Sequence, residues 1–210
     1  AAKLFISMMD PGDGAAVITF SDDSDIRANF TKIEGYDDKV DLINAIGEMK
    51  SNGFTNMKAA FQDVLKVIDE DQTGNRQIII FLTDGQPEMP GGLPEKYDAD
   101  TLDLIRQAKD PILAIGLTEG GLTSFLGQVP DAAGEGSQII PAKTANDLLD
   151  VYLGILGQLK DRTIIGEGKV SAPANVDLEI DPSLVQYIDS ASFIGILPPY
   201  GNLSLLSPDG

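Results

Sequence analysis

Gln77-Ile78-Ile79-Ile80-Phe81-Leu82-Thr83-Asp84-Gly85 decides how the rest of the chain is read. Its apolar residues are continuous rather than alternating, so both faces of the segment need cover, as in a central parallel strand. The run ends in a carboxylate and a glycine. In an open α/β sheet the carboxyl ends of the strands share one rim, and ligands bind there near the point where strand order reverses. Asp84 is therefore aimed at a crevice, and Gly85 lets the chain turn sharply away.

Working back from this strand, Met57, Phe61, Val64, Leu65 and Ile68 put one apolar stripe on a helix over 56–70. Val40, Ile43, Ile46 and Met49 do the same over 37–50. Ser51-Asn52-Gly53-Phe54-Thr55-Asn56 is the turn that opens the later helix. Further back, Ala15-Ala16-Val17-Ile18-Thr19-Phe20 follows the turn Pro11-Gly12-Asp13-Gly14 and reads as a buried strand. A short amphipathic strand over 26–30 is expected beside it at the sheet edge. Residues 1–9 read as the rear of an amphipathic helix that began earlier, which predicts a chain taken from inside a larger protein.

Working forward, a polar Pro/Gly-rich loop over 85–94 leads to a helix over 98–109, a strand over 112–117, a small helix over 122–129 and a strand over 138–140. Leu148, Tyr152, Ile155 and Leu159 then align on a helix over 145–160, with Thr144 placed to cap it. The alternation predicts an α/β, doubly wound, mostly parallel sheet with helices on both faces over 1–162. From residue 163 the texture changes to short β-type runs such as Val176-Asp177-Leu178-Glu179-Ile180 and Ala191-Ser192-Phe193-Ile194, punctuated by prolines. Residues 163–210 are thus expected to be the opening strands of a β-sandwich, cut short at the turn Ser207-Pro208-Asp209-Gly210.

Composition narrows the function. The 210 residues carry 15 Lys plus Arg against 33 Asp plus Glu, a formal charge of −18 and a pI near 4.1. Such a surface repels nucleic acid and anionic lipid, so neither is expected as a partner. Cysteine and histidine are both absent. This removes disulfide frameworks, thiolate metal sites, Ser-His and Cys-His catalysis and the usual zinc chemistry. No apolar run is long enough to cross a bilayer. Asn29-Phe30-Thr31 and Asn202-Leu203-Ser204 fit the glycosylation sequon but are given no role.

Two candidate ligands remain, Thr55 at a helix entrance and Asp84 at a strand end. A hydroxyl with a carboxylate suits a hard cation such as Mg²⁺, which prefers oxygen donors and keeps several waters. Each residue also has a plainer use. Thr55 can be the N-cap of a helix beginning at Asn56, and Asp84 can accept backbone hydrogen bonds in the turn after its strand.

The order Val17-Ile18-Thr19-Phe20-Ser21, then Gly53-Phe54-Thr55-Asn56, then Phe81-Leu82-Thr83-Asp84-Gly85 resembles a von Willebrand factor type A domain over about residues 1–162. The resemblance implies a six-stranded doubly wound sheet and a metal-ion-dependent adhesion site. There Thr55 would ligate Mg²⁺ (or Mn²⁺/Ca²⁺) directly and Asp84 would act through a bound water. It also implies an Asp-x-Ser-x-Ser loop after a central first strand. The chain has no such loop before Thr55. Ser21-Asp22-Asp23-Ser24-Asp25 imitates it but follows the wrong strand. The expectation is therefore a sheet lacking its first strand and a site that binds metal weakly or not at all in this segment. The β-rich tail is similar to sandwich modules that follow type A domains in secreted or surface-anchored proteins.

The leading expectation is a non-enzymatic binding module. It would make metal-dependent contact with a protein ligand that offers an acidic side chain, outside the cell or at its surface. One alternative is a Mg²⁺-dependent enzyme or enzyme-complex subunit of doubly wound fold using Asp84. Against it, no Gly-x-x-x-x-Gly-Lys-Ser/Thr or Gly-x-Gly-x-x-Gly loop follows a strand, and Gly166-Glu167-Gly168-Lys169 reads as a linker. The other alternative is a structural module whose metal site has decayed. Met89 to Gly92, in the loop after Asp84, is expected to influence the choice of partner.

Overall fold

In the computed structural model the described residues are 1–47, 53–71, 73–117 and 124–160, all inside the unit Ala1–Arg162. The expected β-sandwich of 163–210 lies outside them, as do the ends of two expected helices at 48–50 and 122–123.

The elements run α1 (Ala2–Ser7), β1 (Gly14–Phe20), β2 (Ser24–Lys32), α2 (Tyr36–Gly47), α3 (Met57–Glu70), β3 (Ile79–Thr83), α4 (Tyr97–Ala108), β4 (Ile112–Gly116), a 3-10 turn (Leu126–Gln128), α5 (Val129–Ala132), β5 (Gln138–Pro141) and α6 (Ala145–Lys160). Most of these agree with the sequence periodicity, with shifts at the ends. β2 is longer than its amphipathic core suggested, because its outer residues pair along the whole of β1 in an antiparallel hairpin, Gly14 opposite Lys32 and Phe20 opposite Ser24. α4 begins at Tyr97 and stops where Lys109 takes a left-handed conformation, φ 60°. Thr144 caps α6 as expected. Its hydroxyl accepts the Asp147 N–H at 3.2 Å, while the Asp147 carboxylate accepts the Thr144 N–H at 2.8 Å. This is a reciprocal box that satisfies otherwise orphaned donors.

β3, β4 and β5 form a parallel sheet in that order, with Ile79 opposite Ile112 and Leu113 opposite Gln138. Parallel strands need crossovers, and α4 and α5 with the 3-10 turn supply them. Residues alternate between two apolar layers. Leu113 and Ile115 join Phe5, Leu42, Tyr152 and Ile155 on one face. Ile112 and Ala114 join Phe61, Phe81, Ile105 and Val129 on the other. Every residue of β4 is buried, so the continuous apolar run 112–116 is explained by cover on both sides. Full burial of a side chain such as Ile115 contributes roughly 1.5–3 kcal/mol.

The sheet is in two pieces. Among the described residues β1 pairs only with β2, and β3 pairs only with β4. Yet side chains of β1 and β3 share the same layers. Val17 packs in the cluster that Ile80 and Leu82 border, and Phe20 stacks on Phe81 with ring centroids 5.5 Å apart. The break falls between these strands, where the sequence reading expects the sheet to lack its middle. The apolar side chains beside the break are correspondingly only half-buried: Ile18 on β1, Ile79, Ile80 and Leu82 on β3.

Candidate functional site

Thr55 lies just ahead of α3, and its backbone is tied to the loop that follows β3. The Thr55 N–H donates to Glu88 O at 3.1 Å and the Glu88 N–H donates to Thr55 O at 3.0 Å, an isolated antiparallel bridge. Asp84 opens that same loop and its residue is exposed, while Thr55 is half-buried. The structure thus joins the Thr55 turn to the Asp84 loop through Glu88, a residue the sequence reading did not single out.

The plainer uses of the two candidates are filled by their neighbours. The N-cap of α3 is Asn56, not Thr55, since the Asn56 side chain accepts the Ala59 N–H at 3.2 Å and the helix proper starts at Met57. After β3 it is Thr83 Oγ1, not Asp84, that accepts the Gly85 N–H, at 3.3 Å. Thr83 is buried and its carbonyl accepts the Leu117 N–H at 2.9 Å, which fixes the strand end from β4's side. Among the described residues neither the Thr55 hydroxyl nor the Asp84 carboxylate has a hydrogen-bond partner.

The turn carrying Thr55 is held from below by the β1–β2 turn. Asp22 Oδ1 accepts the Phe54 N–H at 2.6 Å, the Asn56 N–H donates to Ser21 O at 2.8 Å, and Asn56 Nδ2 donates to Asp22 O at 3.0 Å. Gly53 makes this approach possible. Its φ is 85°, a conformation glycine adopts freely, and a Cβ there would stand 2.6 Å from Asp22 Oδ1. The Ser21–Asp25 segment, which sequence alone sets aside as an imitation, therefore supports the Thr55 turn.

Asp63 anchors the same region from within α3. Its carboxylate receives Lys66 Nζ at 2.6 Å, and Ser24 Oγ lies 2.5 Å from it. Burial raises the Asp63 pKa, but the hydrogen bonds from Lys66 and Ser24 and the charge of Lys66 outweigh it, and the carboxyl is held below its ordinary value. On the far side, the buried Tyr97 hydroxyl accepts the Lys58 N–H at 2.9 Å and donates to Asn56 Oδ1 at 3.0 Å. Burial pushes the Tyr97 pKa up, so the phenol keeps its proton at neutral pH. No local sequence signal marks Tyr97; it is only the first residue of an amphipathic helix until α3 and α4 pack together.

A hard divalent ion takes about six oxygen donors. The two candidates offer it one hydroxyl and one carboxylate, and no cluster of three or more acidic residues among the described residues could hold a metal. The donor set suits such an ion in kind and is partial in number.

Residues 1–86 match the family model of the von Willebrand factor type A domain. Among solved structures the chain is similar to a von Willebrand factor type A protein from Catenulispora acidiphila, with 18% identity and a TM-score of 0.62 over 74% of this chain and 35% of that one. It is also similar to proximal thread matrix protein 1 from the mussel byssus, solved with a zinc-occupied MIDAS motif, at 20% identity and a TM-score of 0.57 over 75% of this chain and 38% of that one. A third likeness is to the pilus adhesin SpaC from Lactobacillus rhamnosus GG, at 15% identity and a TM-score of 0.54 over 76% of this chain and 26% of that one. No curated protein matches the sequence. At these identities the likeness is one of fold: the chain has the α/β architecture of the type A domain. It spans little more than a third of the first two solved chains, 35% and 38%. No helix among the described residues is long and apolar enough to cross a membrane.

Proposed function

We propose that this chain is a contact module whose Thr55–Asp84 rim engages an acidic group of a protein ligand through a divalent cation, Mg²⁺ or in its place Mn²⁺ or Ca²⁺. One observation carries the reading. The helix cap falls to Asn56 and the turn bond to Thr83, which leaves a hydroxyl and a carboxylate unspent on two segments that the Thr55–Glu88 bridge holds together. Leaving such oxygens uncommitted is what a hard cation requires of its site. The ion would be the largest local charge and would draw a carboxylate even to a protein of charge −18. Thr55 would bind the ion through Oγ1, and Asp84 would hold a water on it.

The printed character of two neighbours, a pilus adhesin and a byssal thread matrix protein, supports a place outside the cell or at its surface. It also supports a role in binding rather than catalysis. Residues 163–210 are proposed, from their sequence, to begin a separate β-sandwich module after a type A module over 1–162. A second reading, a structural module with a decayed site, has the absence of a three-acid cluster among the described residues in its favour.

Paramagnetic broadening by Mn²⁺ separates the two readings, because it detects weak occupancy. Titration to millimolar Mn²⁺ is expected to broaden the amide signals of Thr55 and Asp84 first, and Asp84→Asn is expected to abolish the effect. Broadening that ignores Asp84→Asn, or that never reaches Thr55, would leave the decayed-site reading in possession.

A further inference from the structure

The loop after β3 is fastened to one short segment at both of its ends. At the near end Glu88 makes the two-bond bridge to Thr55. At the far end Tyr97, 2% exposed, reaches across to Asn56 and Lys58. Between these anchors the chain makes a turn closed by the Gly92 N–H on Met89 O, with Gly91 and Gly92 at φ 81° and 91°, and carries the exposed Leu93. The arch is thus pinned to Thr55 at one foot and to Asn56 at the other.

The far anchor depends on a single hydroxyl. A tyrosine O–H has one proton and two lone pairs, and here the proton goes to Asn56 Oδ1 while a lone pair takes the Lys58 N–H. Asn56 Oδ1 already accepts the Ala59 N–H, so its second acceptor position is filled by Tyr97 alone. Asn56 in turn donates from Nδ2 to Asp22 O and from its backbone to Ser21 O. One side chain thus links α4, the start of α3 and the β1–β2 turn, and Thr55 sits beside the residue where these links meet. The Lys58–Asp100 ion pair, 2.7 Å, joins the same two helices but is half-exposed and contributes little.

We propose that Tyr97 is the positioning residue of the rim, its hydroxyl holding the Thr55 turn and the Glu88–Tyr97 arch as one preorganised contact surface. The function of that surface rests on the metal-dependent reading above; the latch itself does not. Local fastening of this kind shows in the exchange of individual amides, because segments open with their own free energies below that of global unfolding.

The test is native-state amide hydrogen exchange on Tyr97→Phe, which keeps the ring in its buried place and removes only the hydroxyl. The Thr55 and Glu88 amides are expected to exchange about tenfold faster, the scale of one lost hydrogen bond, with Ile115 in β4 unchanged. Asn56→Ser keeps a good helix cap but is too short to reach Tyr97, and it should accelerate the same two amides. Lys58→Met, which removes the ion pair and keeps the N–H, should leave them alone. If Tyr97→Phe leaves Thr55 and Glu88 unchanged, or speeds Ile115 equally, the hydroxyl is an ordinary packing bond and the proposal is overturned. Absence of Mn²⁺ broadening in the unaltered chain, with the exchange pattern as expected, would instead remove the metal reading and leave the latch standing.

Discussion

Thr55 and Glu88 exchange two backbone hydrogen bonds with each other, at 3.1 and 3.0 Å, although no regular strand contains either residue. The bridge ties the helix entrance at Thr55 to the loop that Asp84 opens. It depends on backbone and not on side-chain identity. Glu88→Ala should therefore leave it intact, whereas Glu88→Pro removes the donor and should cost about 1–3 kcal/mol. Urea unfolding of the two variants measures the difference. Equal stability would show that the bridge adds nothing.

Thr55→Ala and Asp84→Asn are expected to change stability by less than about 0.5 kcal/mol, since neither side chain holds the fold together. Asn56→Ala next door should cost about 1 kcal/mol or more, because it removes the cap on Ala59 and the acceptor for Tyr97. Thermal melts of the three variants read out the contrast. A Thr55→Ala variant as unstable as Asn56→Ala would return Thr55 to a purely structural role.

Gly53→Ala carries two penalties at once, a left-handed φ of 85° and a Cβ placed 2.6 Å from Asp22 Oδ1. The expected cost is about 1–3 kcal/mol, and Asp22 must give up the Phe54 N–H to relieve the clash. Faster exchange of the Phe54 amide in this variant is the specific sign. An unchanged Phe54 amide would mean that the turn does not lean on Asp22.

Asp63 gives the acid limb of stability a defined origin. Its folded pKa lies below the ordinary Asp value of about 3.9, so the unfolded chain takes up the proton first as pH falls. Its contribution is complete above the unfolded value and is lost as pH drops through the folded one. Below about pH 4 the hold of Asp63 on Ser24 and Lys66 should weaken, loosening the β1–β2 turn from α3. Urea midpoints between about pH 5 and pH 2 should fall less steeply in Asp63→Asn than in the unaltered chain. Parallel curves would assign the acid loss to other carboxylates.

Much of this architecture could be read in advance. α2, α3 and α6 were visible because each carries an apolar stripe with a period near 3.6, the mark of a helix with one side covered. β4 was visible as an unbroken apolar run because both of its faces are buried. The Thr144 cap followed from one residue and its local hydrogen-bonding reach. In each case the information lies within a few positions of the element itself.

The packing across the divided sheet and the true state of the rim were decided elsewhere. A break between β1 and β3 was expected from the absent Asp-x-Ser-x-Ser loop, but that the two strands still share apolar layers depends on packing between segments some sixty residues apart in sequence. Thr55 and Asp84 were found from their phrases. Their availability, however, rests on Asn56 taking the cap and Thr83 taking the turn bond, and both assignments follow from how α3 and β3 sit against the rest. Asp22, Glu88 and Tyr97 matter to the rim because folding brings distant backbone and hydroxyl groups to within hydrogen-bonding distance. A one-dimensional pattern records which faces must be buried; which polar atoms are then left over is fixed only once every other donor and acceptor has found its partner in space.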